Sequence, residues 1–174
     1  MINIKNILIS ILLCTIGLFS SEYKEIRIDS VAVDIGQSKD DIDIYRLGLR
    51  RDFESKWLES RVGYLSGYYE LSLNYWRDVE DKSVGIALSP VFRYSFYGSI
   101  PVYIEAGIGI SLFNSTVIGK HNMSSAFLFE DRAGIGVKFE DFDISFDYLH
   151  YSNAGIKKPN EGIDIFKLSL SHKI

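Results

Sequence analysis

The stretch DFDISFDY, residues 141–148, decides the fold: Phe142, Ile144, Phe146 and Tyr148 are apolar, while Asp141, Asp143, Ser145 and Asp147 between them are polar. Successive side chains of a β-strand point to opposite faces, so a period of two marks a strand with one apolar face. The stretch FKLSLSHK, residues 166–173, repeats it, with Phe166, Leu168 and Leu170 opposite Lys167, Ser169, Ser171 and Lys173. Further back, Tyr69, Leu71, Leu73 and Tyr75 oppose Glu70, Ser72 and Asn74, and Ile86, Leu88, Phe92 and Tyr94 oppose Arg93 and small residues. Val102, Ile104, Ile108 and Ile110 oppose Tyr103, Glu105, Gly107 and Gly109; Phe127, Phe129, Ala133, Ile135 and Val137 oppose Glu130, Arg132, Gly134, Gly136 and Lys138. Weaker alternation runs over residues 31–35 and 45–49, the latter opposite Arg46, Gly48 and Arg50, which brings the expected strands to eight.

The connections fall into two size classes. Residues 97–99 and 140–141 are tight, whereas residues 77–83, 114–125 and 153–162 are longer and polar. Short turns on one side and long loops on the other predict an all-β, eight-stranded antiparallel transmembrane β-barrel of the bacterial outer membrane, with the short turns periplasmic. Residues 52–62, between the second and third strands, are not placed by this pattern. The polar set includes Arg50, Glu70, Arg93, Glu105, Arg132 and Asp143, both signs in similar number, which suits a lumen filled by paired side chains. An eight-stranded barrel has just that much interior and is too narrow for a porin. The competing architecture is a soluble lipocalin-like barrel with the apolar face inward. Against it stand the amino-terminal segment, the aromatic content of the apolar face, and the charge-balanced, Gly-rich opposite face.

That amino-terminal segment, residues 1–21, has Lys5 as its only charged residue, an apolar run over residues 7–19, and Ser20 and Ser21 before Glu22. It reads as a secretory signal peptide, its apolar run being shorter than the roughly 20 residues of a membrane-spanning helix, and leaves residues 22–174 as the barrel. The only cysteine, Cys14, lies inside it, so the exported part is expected to have no disulfide and no thiolate metal ligand. Removing Lys5 from the formal net charge of −4 leaves −5, with no basic block, which argues against nucleic acid as a partner. No metal-ligand spacing, phosphate loop, dinucleotide fingerprint or nucleophile elbow is present, and no cofactor or metal is implied.

The polar residues that break the alternation carry the chemistry. The apolar parity of the seventh strand continues into His150 and Ser152, and counting back along the eighth from Leu170, Leu168 and Phe166 reaches Asp164. With a periplasmic amino terminus and an even strand count, these positions meet at the extracellular rim. A charge on the lipid face costs about 2–4 kcal/mol at the midplane but only about 0–1 kcal/mol near the interface. A serine hydroxyl becomes a useful nucleophile when an imidazole takes its proton and a carboxylate holds the other ring nitrogen. His150 and Ser152 are about 6.6 Å apart along an ideal strand, so rotamers or a bulge must bring them together. The alternative is a non-enzymatic structural or adhesive barrel, with His150 an interfacial anchor and Asp164 a loop-end cap. His121, in the long loop before the sixth strand, and His172, near the periplasmic end of the last, are read as non-catalytic.

The segment HYSNAGIKKPNEGID, residues 150–164, closely resembles the signature of the PagL family of outer-membrane lipid A 3-O-deacylases, with weaker matches over residues 67–76, 90–94 and 129–134. The resemblance implies His150 as general base, Ser152 as nucleophile, and Asn153 and Gly155 as oxyanion-hole residues. The family's acid is a glutamate fourteen positions after the histidine, where this chain has Asp164, one methylene shorter; Glu161 is the nearby alternative. It further implies lipid A, within lipopolysaccharide, as substrate, outer-membrane lipids as surroundings, and an active site facing the outer leaflet. Acyl chains would lie along the wall on Tyr148 and Phe166, and Lys157 and Lys158 would either meet phosphates or remain solvated. Monomer and homodimer are both left open.

Overall fold

The computed structural model describes residues 27–174, so the signal-peptide segment lies outside the described residues. The strands are β1 (Ser30–Ser38), β2 (Asp43–Asp52), β3 (Gly63–Arg77), β4 (Lys82–Phe96), β5 (Val102–Phe113), β6 (Val117–Ile118), β7 (His121–Asn122), β8 (Phe127–Lys138), β9 (Phe142–Ser152) and β10 (Ile163–Lys173). Eight of them close into an antiparallel barrel in the order β1-β10-β9-β8-β5-β4-β3-β2, while β6 and β7 form a separate hairpin. Closure runs along β1 and β10 from Ser30 opposite Lys173 to Ser38 opposite Ile165. The ring leaves no sheet edge in the membrane, where an unpaired backbone N–H or C=O would find no water.

The parity in the sequence is the parity of the walls. Val33, Leu71, Ile104, Ile135, Phe146 and Leu168 stand exposed on the outside, and Asp34, Ser72, Glu105, Arg132, Asp147 and Lys167 are buried inside. An outside that is apolar and an inside that is charged is the reverse of a soluble barrel and fits a hydrocarbon solvent. Among the described residues, five buried cations, Arg46, Arg50, Arg93, Arg132 and Lys167, face five buried carboxylates, Asp34, Glu70, Glu105, Glu130 and Asp147. Glu70 is a hub: Arg46 and Arg132 donate to one oxygen at 3.0 and 2.5 Å, and Arg50 to the other at 2.7 Å. Lys167 pairs with Asp147 at 2.7 Å and Asp34 at 3.0 Å, and Arg93 with Glu105 at 3.0 Å.

Above this charged layer sits an apolar plug that the alternation did not announce. Ile42, Ile44, Trp76, Phe113, Leu128, Leu149, Tyr151, Ile163 and Ile165 close the mouth together with Ile118 and Met123 from the β6/β7 hairpin and its flank. Tyr151 joins the two layers: its ring meets Trp76 at 4.9 Å, and its hydroxyl bonds Glu130.

The expected division of connections by size needs correction. On the side of the β6/β7 hairpin, β1–β2 and β3–β4 are joined by only residues 39–42 and 78–81, because the paired strands run on through Arg77 and Lys82. On the opposite side, residues 53–62 form a long connection. That segment, unplaced by the alternation, folds back along the wall. Phe53 packs on Tyr69 and Phe92 at 4.8 and 5.5 Å, Trp57 bridges Leu65, and the Phe53 ring occupies the space a side chain at Gly67 would need. With Tyr64, Tyr94, Phe96 and Tyr97 it makes an aromatic cluster at that end of the barrel, as expected at a membrane interface.

Candidate active site

Strands β9 and β10 pair so that His150 lies directly opposite Asp164 and Tyr148 opposite Phe166, all on the outer wall. His150 Nδ1 is 2.8 Å from Asp164 Oδ1. The same oxygen accepts the Tyr148 hydroxyl at 2.7 Å, and Asp164 Oδ2 accepts Lys39 Nζ at 3.1 Å from the β1–β2 turn. The His150 and Asp164 side chains keep 36% and 31% of their exposure, open enough for a substrate to reach them from outside. Ser152 follows on the same outward face, opposite Phe129 of β8. Its Oγ accepts the Ala154 N–H at 3.4 Å, which turns the hydroxyl toward the tight bend that follows. That bend needs two consecutive left-handed residues, Ala154 at φ 52° and Gly155 at φ 73°, and glycine takes the second without steric penalty.

The structure separates the two candidate acids. Glu161 turns to the β6/β7 hairpin, where its carboxylate accepts the Asn122 N–H at 2.6 Å, while Asp164 meets His150. Asn153 is fully buried. Its Nδ2 donates to the carbonyls of Met123 and Lys157 at 2.6 and 2.9 Å, and its N–H donates to Asn160 Oδ1 at 2.9 Å. All its donors are thus engaged, two within the loop after β9 and one tying that loop to the flank of the hairpin, so the oxyanion expectation rests on the backbone of Gly155, with Asn153 as the brace of the turn. His121 bonds Asp40 at 2.8 Å on the outer loops, and His172 lies at the other end of β10 opposite Phe142, both apart from His150. Lys157 and Lys158 are exposed.

Four neighbours were missed. Tyr148 enters the sequence reading as an apolar-face residue and a support for acyl chains, although its parity places it one row from Asp164. Asp131 lies on the outward parity of β8, directly opposite His150, and the alternation around Phe129 and Ala133 already marked it. Gly162, at φ 57°, passes so close to the imidazole that an added Cβ would meet His150 Cε1 at 3.0 Å. Lys39, 125 residues from Asp164, had no signal in the sequence.

Fold and patch together define a class: an eight-stranded membrane β-barrel with a serine, a histidine and an acid on its outer wall. Comparisons with known proteins make this specific. The family described as lipid A 3-O-deacylase (PagL) matches residues 43–173. The chain is similar to the lipid A deacylase PagL of Pseudomonas aeruginosa, 42% identical over 129 residues that cover 71% of this chain and 74% of that protein. It is also similar to the lipid A deacylase PagL of Bordetella bronchiseptica, 38% identical over 109 residues covering 60% of each. The crystal structure of the outer membrane enzyme PagL superposes with a TM-score of 0.80 at 37% identity, over 83% of this chain and 99% of that one. The chain belongs to the PagL family of lipid A 3-O-deacylases.

Proposed function

We propose that this protein is an outer-membrane lipid A 3-O-deacylase that works on the outer leaflet by a Ser152/His150/Asp164 mechanism. The observation that carries the reading is the outward row on β9 and β10, with His150 Nδ1 2.8 Å from Asp164 Oδ1 and Ser152 next on the same face. Family membership supplies the substrate class, and the outward orientation fits a substrate that is itself part of the membrane.

With Nδ1 turned to Asp164, the other ring nitrogen, Nε2, is the base. Ser152 Oγ attacks the ester carbonyl at position 3 of the lipid A disaccharide as its proton passes to His150, and Asp164 stabilises the imidazolium. On this reading the Gly155 N–H donates to the oxygen on which negative charge develops. Collapse of the tetrahedral intermediate breaks the bond to the sugar oxygen, which takes the proton from His150. Water then attacks the acyl-serine, gives its proton to His150, and releases a 3-hydroxy fatty acid while the proton returns to Ser152. Nothing in this sequence calls for a metal or cofactor. The rim bearing His150 also carries the β6/β7 hairpin and the loop of residues 153–162, and on this reading it faces the cell exterior, with the amino terminus periplasmic.

The test is mass spectrometry of lipid A from a host expressing the protein in its outer membrane, beside the Ser152→Ala variant. Loss of one 3-hydroxyacyl chain with the wild type alone is expected. Unchanged lipid A with both proteins correctly folded favours a structural or adhesive barrel instead.

A further inference from the structure

The acid of this site is short, and three groups converge on it. Asp164 Oδ1 receives the Tyr148 hydroxyl at 2.7 Å and His150 Nδ1 at 2.8 Å, while Oδ2 receives Lys39 Nζ at 3.1 Å. These partners differ in firmness. The Lys39 side chain is 62% exposed, on a turn, at the end of a flexible arm. Tyr148 is fixed within β9: its ring leans on Phe166 at 5.5 Å, and Phe166 stacks on Phe146 at 6.0 Å and 9°. Its neighbour on the other side is the small Ala133 of β8, so the ring has room to lie along the wall.

We propose that Tyr148 is a positioning residue of the deacylase: its hydroxyl holds Asp164 in the one orientation that presents Oδ1 to His150 Nδ1. A carboxylate oxygen has two lone-pair directions. Tyr148 occupies one, which leaves the other aimed at the imidazole, and rotation of the carboxylate breaks both bonds together. The hold matters because Lys39, exposed on its turn, competes for the same carboxylate from the other side. Without the hydroxyl, the carboxylate follows Lys39 toward the turn and the imidazole loses its tautomer and orientation, which are what a triad acid provides. The inference rests on the Ser152/His150/Asp164 reading, and it separates from two simpler roles for Tyr148: a ring that supports acyl chains and an interfacial anchor whose hydroxyl meets headgroups.

The experiment is a double-mutant cycle with Tyr148→Phe and Asp164→Asn, assayed on lipid A in mixed micelles with folding checked by heat-modifiable migration. Tyr148→Phe keeps the ring and removes only the donor. It should lower kcat about tenfold with KM changed less than about twofold, the signature of a group that acts on the chemical step. In the Asp164→Asn background the same change should have no further effect, because the bond it removes no longer serves a triad. A rise in KM with kcat unchanged, an equal loss in both backgrounds, or no effect at all overturns the proposal. Wild-type turnover in Asp164→Asn alone would instead bring down the acid assignment beneath it, an outcome distinct from the other three.

Discussion

Charge is handled in opposite ways on the two sides of the barrel wall. Inside, Glu70 is held by Arg46, Arg50 and Arg132, and the buried side chains of the lumen pack against one another with almost no exposed surface. Outside, Asp164 also has three partners, Tyr148, His150 and Lys39, but it and His150 keep about a third of their surface open. The inner groups define a shape, since each holds several others in place. The outer groups share one face of β9 and β10, with Nδ1 of His150 engaged by Asp164 and, on the proposed mechanism, Nε2 serving Ser152. A polar cluster enclosed on all sides is a scaffold, whereas one that is incomplete on the side facing substrate has room for chemistry.

If that division is right, substitutions on the two sides should have separable consequences. Asp164→Asn should reduce turnover by roughly 10³- to 10⁴-fold, as in other triads that lose the acid's charge, while Glu161→Gln, whose carboxylate holds the hairpin, should stay within a few-fold. Initial rates on purified lipid A decide this, and the reverse ranking would move the acid to the loop. Glu70→Ala removes the carboxylate shared by Arg46, Arg50 and Arg132, of which Arg46 and Arg132 keep Glu130, and should destabilise the barrel by about 3–5 kcal/mol. It would be read as a lower temperature for loss of the compact band on unheated gels, with turnover per folded molecule retained. Gly162→Ala introduces a Cβ at 3.0 Å from the imidazole and at a left-handed φ, and should cost about tenfold in kcat with little change in barrel stability. Lys39→Ala should change turnover only about two- to threefold and in a salt-dependent way, as exposed ion pairs contribute little.

The smallest effect concerns the outer loops. The Lys120 ammonium beside Asp40, with a hydrogen bond from His121, holds that carboxyl below the usual aspartate range. The contact therefore steadies the hairpin above the ordinary carboxylate range and lets go as the pH falls through the depressed value. Amide protection factors around Met123 should fall at strongly acidic pH with the barrel strands still protected.

The walls were legible because lipid and lumen impose opposite solvents on alternate residues, and a period of two survives in any strand that spans them. The same parity puts His150, Ser152 and Asp164 on the outward face, and Asp131 with them between Phe129 and Ala133. What parity could not give are contacts that depend on where loops land. Residues 53–62 carry no alternation because they lie flat on the wall, with Phe53 over Gly67. The β6/β7 hairpin has only two residues per strand, too few for a period, yet it receives Asn153 and Glu161 and so decides that neither faces His150. Strand extension through Arg77 and Lys82 was hidden by their charge, which marked a loop in the sequence and stands in the structure at the end of a ladder.

That the reactive side chains look outward also sets the dimensionality of the reaction. On the proposed mechanism enzyme and substrate meet by lateral diffusion in one leaflet, so the concentration that matters is the mole fraction of lipid A among its neighbours. Diluting the substrate with inert amphiphile at constant bulk amount should slow the reaction. The released fatty acid stays in the same sheet as its precursor, where it competes for the same stretch of wall until the membrane carries it away.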